Sequence, residues 1–178
     1  KNIVKLALKS YPRNLKLNQL EKNLNKNKYI SIFDCKKEAH VSAEILYVTA
    51  NALSSQLVYP LSNFYLNLAK MLNEDFHSYD TLLAENFYKT KNLNEAKKIY
   101  NFLRKKGDAY SWYSAKQLAR IYLQNEDKEK AINILTEAFN NLVNKDIYET
   151  FDFAEFLKNN EKFKESIKFY TEIINKVK

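Results

Sequence analysis

Ala96, Ala131 and Ser166 stand thirty-five positions apart, and the sequence around each repeats one order of large and small side chains. The three stretches are Asn94-Glu95-Ala96-Lys97-Lys98-Ile99-Tyr100, Glu129-Lys130-Ala131-Ile132-Asn133-Ile134-Leu135 and Lys164-Glu165-Ser166-Ile167-Lys168-Phe169-Tyr170. Upstream of each lies a large-small pair, Leu83-Ala84, Leu118-Ala119 or Phe153-Ala154, followed by Phe87, Tyr122 or Leu157. Leu103, Ala138 and Ile173 close the pattern. One further step of the same length back gives Val48-Thr49, Ala52, Leu61, Tyr65 and Leu68 as a degenerate copy. A period of this length marks a supersecondary unit too small to bury both its faces, so neighbouring units must stack.

Within each unit the apolar residues recur at helical spacing, twice, around a short polar turn. The turns are Lys91-Asn92-Leu93-Asn94, Gln124-Asn125-Glu126-Asp127 and Asn159-Asn160-Glu161. Asn and Asp suit helix ends because their side chains satisfy unpaired backbone groups. The pattern predicts helices near 41–56, 60–73, 79–90, 94–105, 112–124, 128–143, 147–159 and 163–176. Pro60 fits the first turn of its helix, where no amide donor is needed. Gly107 fits a helix C-terminal turn, where positive φ carries no side-chain penalty. Small residues in both helices let their backbones approach, and aromatics fill the space between stacked hairpins. The expected fold is therefore all-α, an α-α superhelix of helical hairpins. Residues 1–40 form a basic, partly helical N-terminal segment. The repeats run over 41–178, divided into a degenerate 41–78, then 79–110, 111–145 and 146–178.

Composition removes most catalytic classes. The chain of 178 residues has one Gly, one Cys, two His and two Pro. A Gly-rich phosphate loop needs several glycines close together, and a Cys/His zinc site needs more ligands. One Cys excludes an internal disulfide. No Gly-x-Ser-x-Gly elbow marks a nucleophile. His40 with Glu44 and His77 with Asp80 share a helical face or turn but have no further Cys or His nearby, which favours structural roles. Cys35, beside Lys36 and Lys37, has no readable partner base. The expectation is a non-catalytic protein without a cofactor.

The residues Leu83-Ala84, Phe87, Ala96 and Tyr100, with Leu118-Ala119, Tyr122, Ala131 and Ala138, resemble the tetratricopeptide repeat (TPR) family. Phe153-Ala154, Phe163, Ser166 and Tyr170 match more loosely. The resemblance covers about 79–178 well and 41–73 weakly. The family's first aromatic is replaced by Asp80, Ala115 and Thr150, and its turn Gly and inter-repeat Pro are missing. The resemblance implies a scaffold that binds a peptide or protein surface in a concave groove lined by the first helix of each pair. Carried over position by position, the groove residues are Glu85, Tyr88 and Lys89 (with Thr81), then Tyr113, Lys116, Arg120 and Gln124 (with Leu123), then Tyr148, Glu155, Lys158 and Asn159 (with Phe151). The degenerate copy contributes an apolar end, Leu46, Ala50 and Leu53. Lys116 and Arg120, four apart, share a helical face. With Lys89 and Lys158 they make a basic stripe flanked by Tyr88, Tyr113 and Tyr148, suited to an acidic peptide or a carboxylate. The competing reading leaves these charges solvated, some paired with Glu85 and Glu155. The carboxylate clamp of chaperone-binding TPR domains needs Lys and Asn where Thr81 and Glu85 (or Leu46 and Ala50) stand.

Pentatricopeptide repeats share the period and bind RNA, and Leu103-Arg104-Lys105-Lys106-Gly107-Asp108 looks like their junction. That junction occurs once, and the small residues follow the TPR phase. A structural segment of a longer superhelix is a third reading. The formal charge of +8 is uneven: residues 1–40 hold ten Lys/Arg against three acids. The repeats from residue 80 onward carry only +3, with acids interspersed, so strong nucleic-acid binding is not expected. The N-terminal basicity reads either as a patch for an acidic partner or as a solvated Lys/Asn-rich surface.

No stretch reaches the roughly 18 apolar residues of a membrane span. The first residue is Lys1, which suggests an excised segment or a processed product; the resemblance to TPR proteins implies a longer bacterial multi-repeat parent, with the cell envelope (periplasm) as its compartment or, alternatively, the cytoplasm. Leu17, Leu20 and Leu24 mark a short amphipathic helix, and Tyr29–Phe33 reads as extended. After the last helix, Phe169, Ile173, Ile174 and Val177 are expected to leave an apolar strip. Such a strip would be met by further repeats, by self-association through the C-terminal helix, or by turning inward onto 147–159.

Overall fold

A computed structural model describes residues 2–28 and 33–177. The described residues form ten α-helices and no strand: α1 (Asn2–Ser10), α2 (Leu15–Asn25), α3 (Glu38–Ser55), α4 (Tyr59–Leu72), α5 (Ser78–Lys89), α6 (Leu93–Leu103), α7 (Asp108–Gln124), α8 (Lys128–Asn140), α9 (Ile147–Asn159) and α10 (Phe163–Val177). From α3 onward consecutive helices pair as hairpins, α3 with α4 through α9 with α10, and each pair packs on the next. The fold is an all-α helical-repeat superhelix. No described helix is long and apolar enough to cross a membrane.

Each hairpin closes on a pair of small side chains. Ala84, Ala119 and Ala154 are fully or almost fully buried, as are their counterparts Ala96, Ala131 and Ser166. Where the second-helix residue is Ser, its hydroxyl reaches the facing backbone: Ser166 Oγ donates to the Ala154 carbonyl at 2.8 Å, and Ser62 Oγ to the Ala50 carbonyl at 2.7 Å. The Ser62 bond fixes the register of the first pair. Ala50 and Ser62, both fully buried, stand 34 positions before Ala84 and Ala96, so the degenerate copy lies one residue away from where a 35-residue step puts it. The shorter step falls in the connection after α4. Ala50 therefore belongs to the hairpin interior and not to a groove.

The turns carry the same period. Leu57, Lys91, Glu126 and Glu161 each follow the first helix of a pair, with φ of 65°, 60°, 59° and 65°. This left-handed conformation usually selects Gly; here four ordinary side chains adopt it. Two of the second helices, α6 and α8, then start on side-chain caps: Asn92 accepts from the Glu95 amide, and Asp127 from the Lys130 amide at 3.1 Å. Asp146 and Glu149 form a reciprocal capping box at the start of α9.

Two other expectations are corrected. Gly107 precedes α7, which begins at Asp108 rather than near 112; its φ is indeed positive, at 143°. The positive φ is what demands Gly; the end of the flexible Gln19 side chain lies 2.3 Å from where a Cβ would stand and would have to shift. On α10, Phe169 turns inward against Phe139 and Phe153, with ring centroids 5.3 Å and 5.1 Å away. The exposed strip is instead Phe163, Ile167, Ile174 and Val177, each more than half exposed. The extended stretch read over Tyr29–Phe33 falls, at 29–32, outside the described residues.

The core is three adjoining clusters rather than one centre. Leu66, Phe76, Tyr79 and Leu83 join the first two pairs, Tyr100, Tyr110, Leu118 and Ile121 the middle two, and Trp112, Leu135, Phe139 and Phe153 the last two. A fully buried amide ties the first interface: Asn86 Nδ2 donates to Ser62 Oγ at 2.9 Å and Asn63 Oδ1 at 2.8 Å, while Asn86 Oδ1 accepts from Ser54 Oγ at 2.6 Å.

Candidate binding face

The first helices α5, α7 and α9 lie in series, and side chains one repeat apart join across them. Arg120 Nη2 on α7 meets Glu85 Oε2 on α5 at 3.3 Å. Its guanidinium also lies over the Tyr88 ring, 3.7 Å from the centroid. Gln124 Nε2 donates to the Tyr88 hydroxyl. Lys116 Nζ on α7 meets Asp152 Oδ2 on α9 at 2.6 Å. The partners are separated by 35 or 36 residues, so the repeat period places them side by side.

Glu85 is the hub of this row. Besides Arg120 it accepts from Tyr100 Oη at 3.1 Å and Tyr113 Oη at 3.3 Å. Burial raises both phenols well above the usual tyrosine value, and the Glu85 carboxylate raises them further. They remain protonated donors at neutral pH. Tyr113 thus serves the joint between α5, α6 and α7.

The remaining expected residues divide. Tyr148 is partly exposed, with Arg13 5.5 Å from its ring centroid. Glu155, Lys158 and Asn159 are exposed on the last turns of α9, and Glu155 and Asn159 border a shallow depression with Lys116 and Phe156. Lys89 points toward α4, 5.9 Å from the Tyr59 ring, away from the Lys116 side. The stripe of four free cations is therefore not assembled: Arg120 and Lys116 already share carboxylates. Asp80 and His77 are structural. Buried Asp80 receives Lys70 on one oxygen at 2.5 Å and faces His77 Nδ1 at 3.3 Å on the other.

Sequence reasoning missed what lies beside this row. Helix α2 folds back on α7. Arg13 Nη1 meets both oxygens of Asp152, at 2.8 Å and 3.0 Å; Lys22 Nζ meets Glu149 Oε1 at 2.8 Å; Lys26 Nζ meets Asp108 Oδ2 at 2.7 Å. Gln19 Oε1 accepts from the Ala109 amide at 2.9 Å. A cavity of about 90 Å³ remains between the two elements, lined by Pro12, Leu15, Trp112, Tyr113 and Tyr148. These contacts span 82 to 139 residues of chain, and no periodicity announces them. The only readable signal was the local excess of Lys and Arg. The chain's N-terminal helix covers the starts of α7 and α9, and the polar row toward their C-terminal halves stays open.

No protein-family model matches this chain, and no curated protein matches it.

Proposed function

We propose that this protein is a non-catalytic, TPR-like interaction scaffold that binds a peptide or protein surface along the first-helix row. The observation that carries the reading is the cross-repeat ladder of Glu85 with Arg120, Tyr88 with Gln124 and Lys116 with Asp152. Each ladder pair fixes two rotamers before any ligand arrives, which lowers the entropy lost on binding. Arg120 stacked on Tyr88 is the type of planar, amphipathic surface that dominates binding energy at interfaces. Because Lys116 and Arg120 are already partnered, the ligand suited to this face is of mixed polarity rather than strongly acidic. A peptide-display selection against the full chain tests the reading. Selected peptides are expected to bind about tenfold more weakly to an Arg120→Ala, Gln124→Ala variant, the loss expected of an interface anchor. Equal affinity for the variant, or tight RNA binding with a steep salt slope and no selected peptide, would overturn it.

A second reading, self-association, is favoured by α10. Phe163, Ile167, Ile174 and Val177 make an exposed apolar strip on that helix. Light scattering over a concentration series, with Ile167→Asp and Ile174→Asp as the comparison, decides it; a monomer at every concentration refutes it.

A further inference from the structure

Helices α1 and α2 bury very little, a property they share with α10, whose single buried residue is Ser166. No residue of α1 is buried, and the single buried residue of α2 is the polar Gln19. Leu15 touches the cluster of Tyr110 and Leu118 without being enclosed by it. What fastens α2 is a set of polar contacts: Arg13 on Asp152, Lys22 on Glu149, Lys26 on Asp108, and Gln19 on the Ala109 amide. Lys16 adds a cation over Phe76, 3.9 Å from the ring centroid. Elements with little buried apolar area and many solvent-accessible polar contacts open at the lowest free energy in a fold.

The surface beneath α2 is organised without it. Asp108 is the first residue of α7, and Glu149 and Asp152 lie in the opening turns of α9, where the helix dipole favours acids. Glu149 is fixed by the capping box with Asp146, and Asp152 keeps Lys116 as a second partner. Gly107 leaves the space that Gln19 fills. Three carboxylates, one amide and the notch at Gly107 thus face three matching cations, Arg13 just before α2, Lys22 within it and Lys26 at its C-cap.

Building on the scaffold reading, we propose that the N-terminal ends of α7 and α9 are a receptor for a basic amphipathic helix, with α2 as its resident, displaceable occupant. The partner it fits is a protein helix presenting one Arg and two Lys in the spacing of Arg13, Lys22 and Lys26, with an apolar anchor in the place of Leu15. Such a partner competes with α2 and uncovers or replaces the N-terminal segment. Its binding weakens with salt through the Arg13 and Lys26 pairs, whose cations are exposed, while the pair of Lys22 with Glu149 is largely buried and screened less.

Trp112 lines the cavity beside α2 and is the only Trp of the chain, so its fluorescence has a single source at the edge of this joint, where the ring also packs on Phe139 and Phe153. In the full chain carrying Arg13→Glu, Lys22→Glu and Lys26→Glu, acrylamide quenching of Trp112 is expected to rise several-fold with a red-shifted emission. A synthetic peptide of residues 11–28 should reverse both changes saturably, and the same peptide with its three cations replaced by Glu should not. A second measurement uses the native protein: in the isotope-labelled chain, unlabelled 11–28 peptide should accelerate amide exchange in α2 while the α7 and α9 amides keep their protection. Unchanged Trp112 quenching in the variant, equal rescue by the acidic peptide, or α2 exchange indifferent to the peptide would overturn the proposal. None of these readouts involves Arg120 or Gln124. Failure here is therefore distinct from failure of the ladder face as a binding surface.

Discussion

Replacing Asn86 with Ala should loosen the first interface more than any surface change nearby. The amide is fully buried and makes three hydrogen bonds to α3 and α4. The partners lose unequally. Asn63 is only half-buried and can turn to water, and Ser62 keeps its donation to the Ala50 carbonyl. Ser54 is buried, and its hydroxyl loses the acceptor it has in Asn86. A stranded buried group costs about 1–3 kcal/mol, and the two other bonds contribute roughly 1 kcal/mol each, so the variant should lose about 3 kcal/mol. Urea denaturation followed by circular dichroism measures this. Hydrogen exchange should place the loss in α3 and α4, because repeat arrays transmit stability through neighbouring interfaces. Ser54→Ala in the same background removes the stranded hydroxyl, so the double variant should be about 1 kcal/mol more stable than the sum of the single effects. Strict additivity, or a cost of Asn86→Ala below about 1 kcal/mol, would refute the network as the tie between these pairs.

Alkaline pH should destabilise the fold before general deprotonation does: burial raises Tyr79, Tyr100 and Tyr113 far above the usual value and Tyr110 to about 12. Their contribution is intact below pH 10 and declines by about 1.4 kcal/mol per pH unit for each group as pH climbs toward the folded values; melting temperature against pH, beside phenolate absorbance, checks it, and a flat profile from pH 9 to 12 refutes it. Glu126→Gly relieves a left-handed residue at φ 59° and should raise stability by about 0.5–1 kcal/mol in a thermal melt, the backbone gain exceeding the added unfolded-state entropy. Asp80→Ala strands Lys70 and His77 beside a buried site and should cost about 3 kcal/mol in urea, whereas a loss near zero would make the trio ornamental.

The helical hairpins were legible because their interior depends on small residues at a fixed spacing, and Ala84, Ala119 and Ala154 supply it plainly. The first pair was harder. Ala50 and Ser62 sit one residue off the common step, and the neighbouring Thr49 and Leu61 imitate the pattern well enough to mislead. Position along the row was readable for Tyr88, Arg120 and Gln124, since a repeat period converts sequence offset into adjacency. Charge state along the row was not. The Lys116 partner Asp152 occupies a helix position that ordinarily faces solvent, and only the packed array shows that it is within reach. The fold-back of α2 left only the local excess of Lys and Arg as a trace, because its contacts depend on where α7 and α9 begin in space.

The array also has two unlike outer surfaces. At one end Ile45, Val48, Leu61 and Phe64 of α3 and α4 are exposed; at the other stand Phe163, Ile167 and Ile174 of α10. Any stacking of copies that imitates the internal order of the repeats must set one kind of surface on the other. Such a contact is heterologous, without a two-fold axis, and every addition leaves one surface of each kind free. An assembly built this way has direction, like a strand with a leading and a trailing tip. Its length is then set by concentration or by whatever seals a tip.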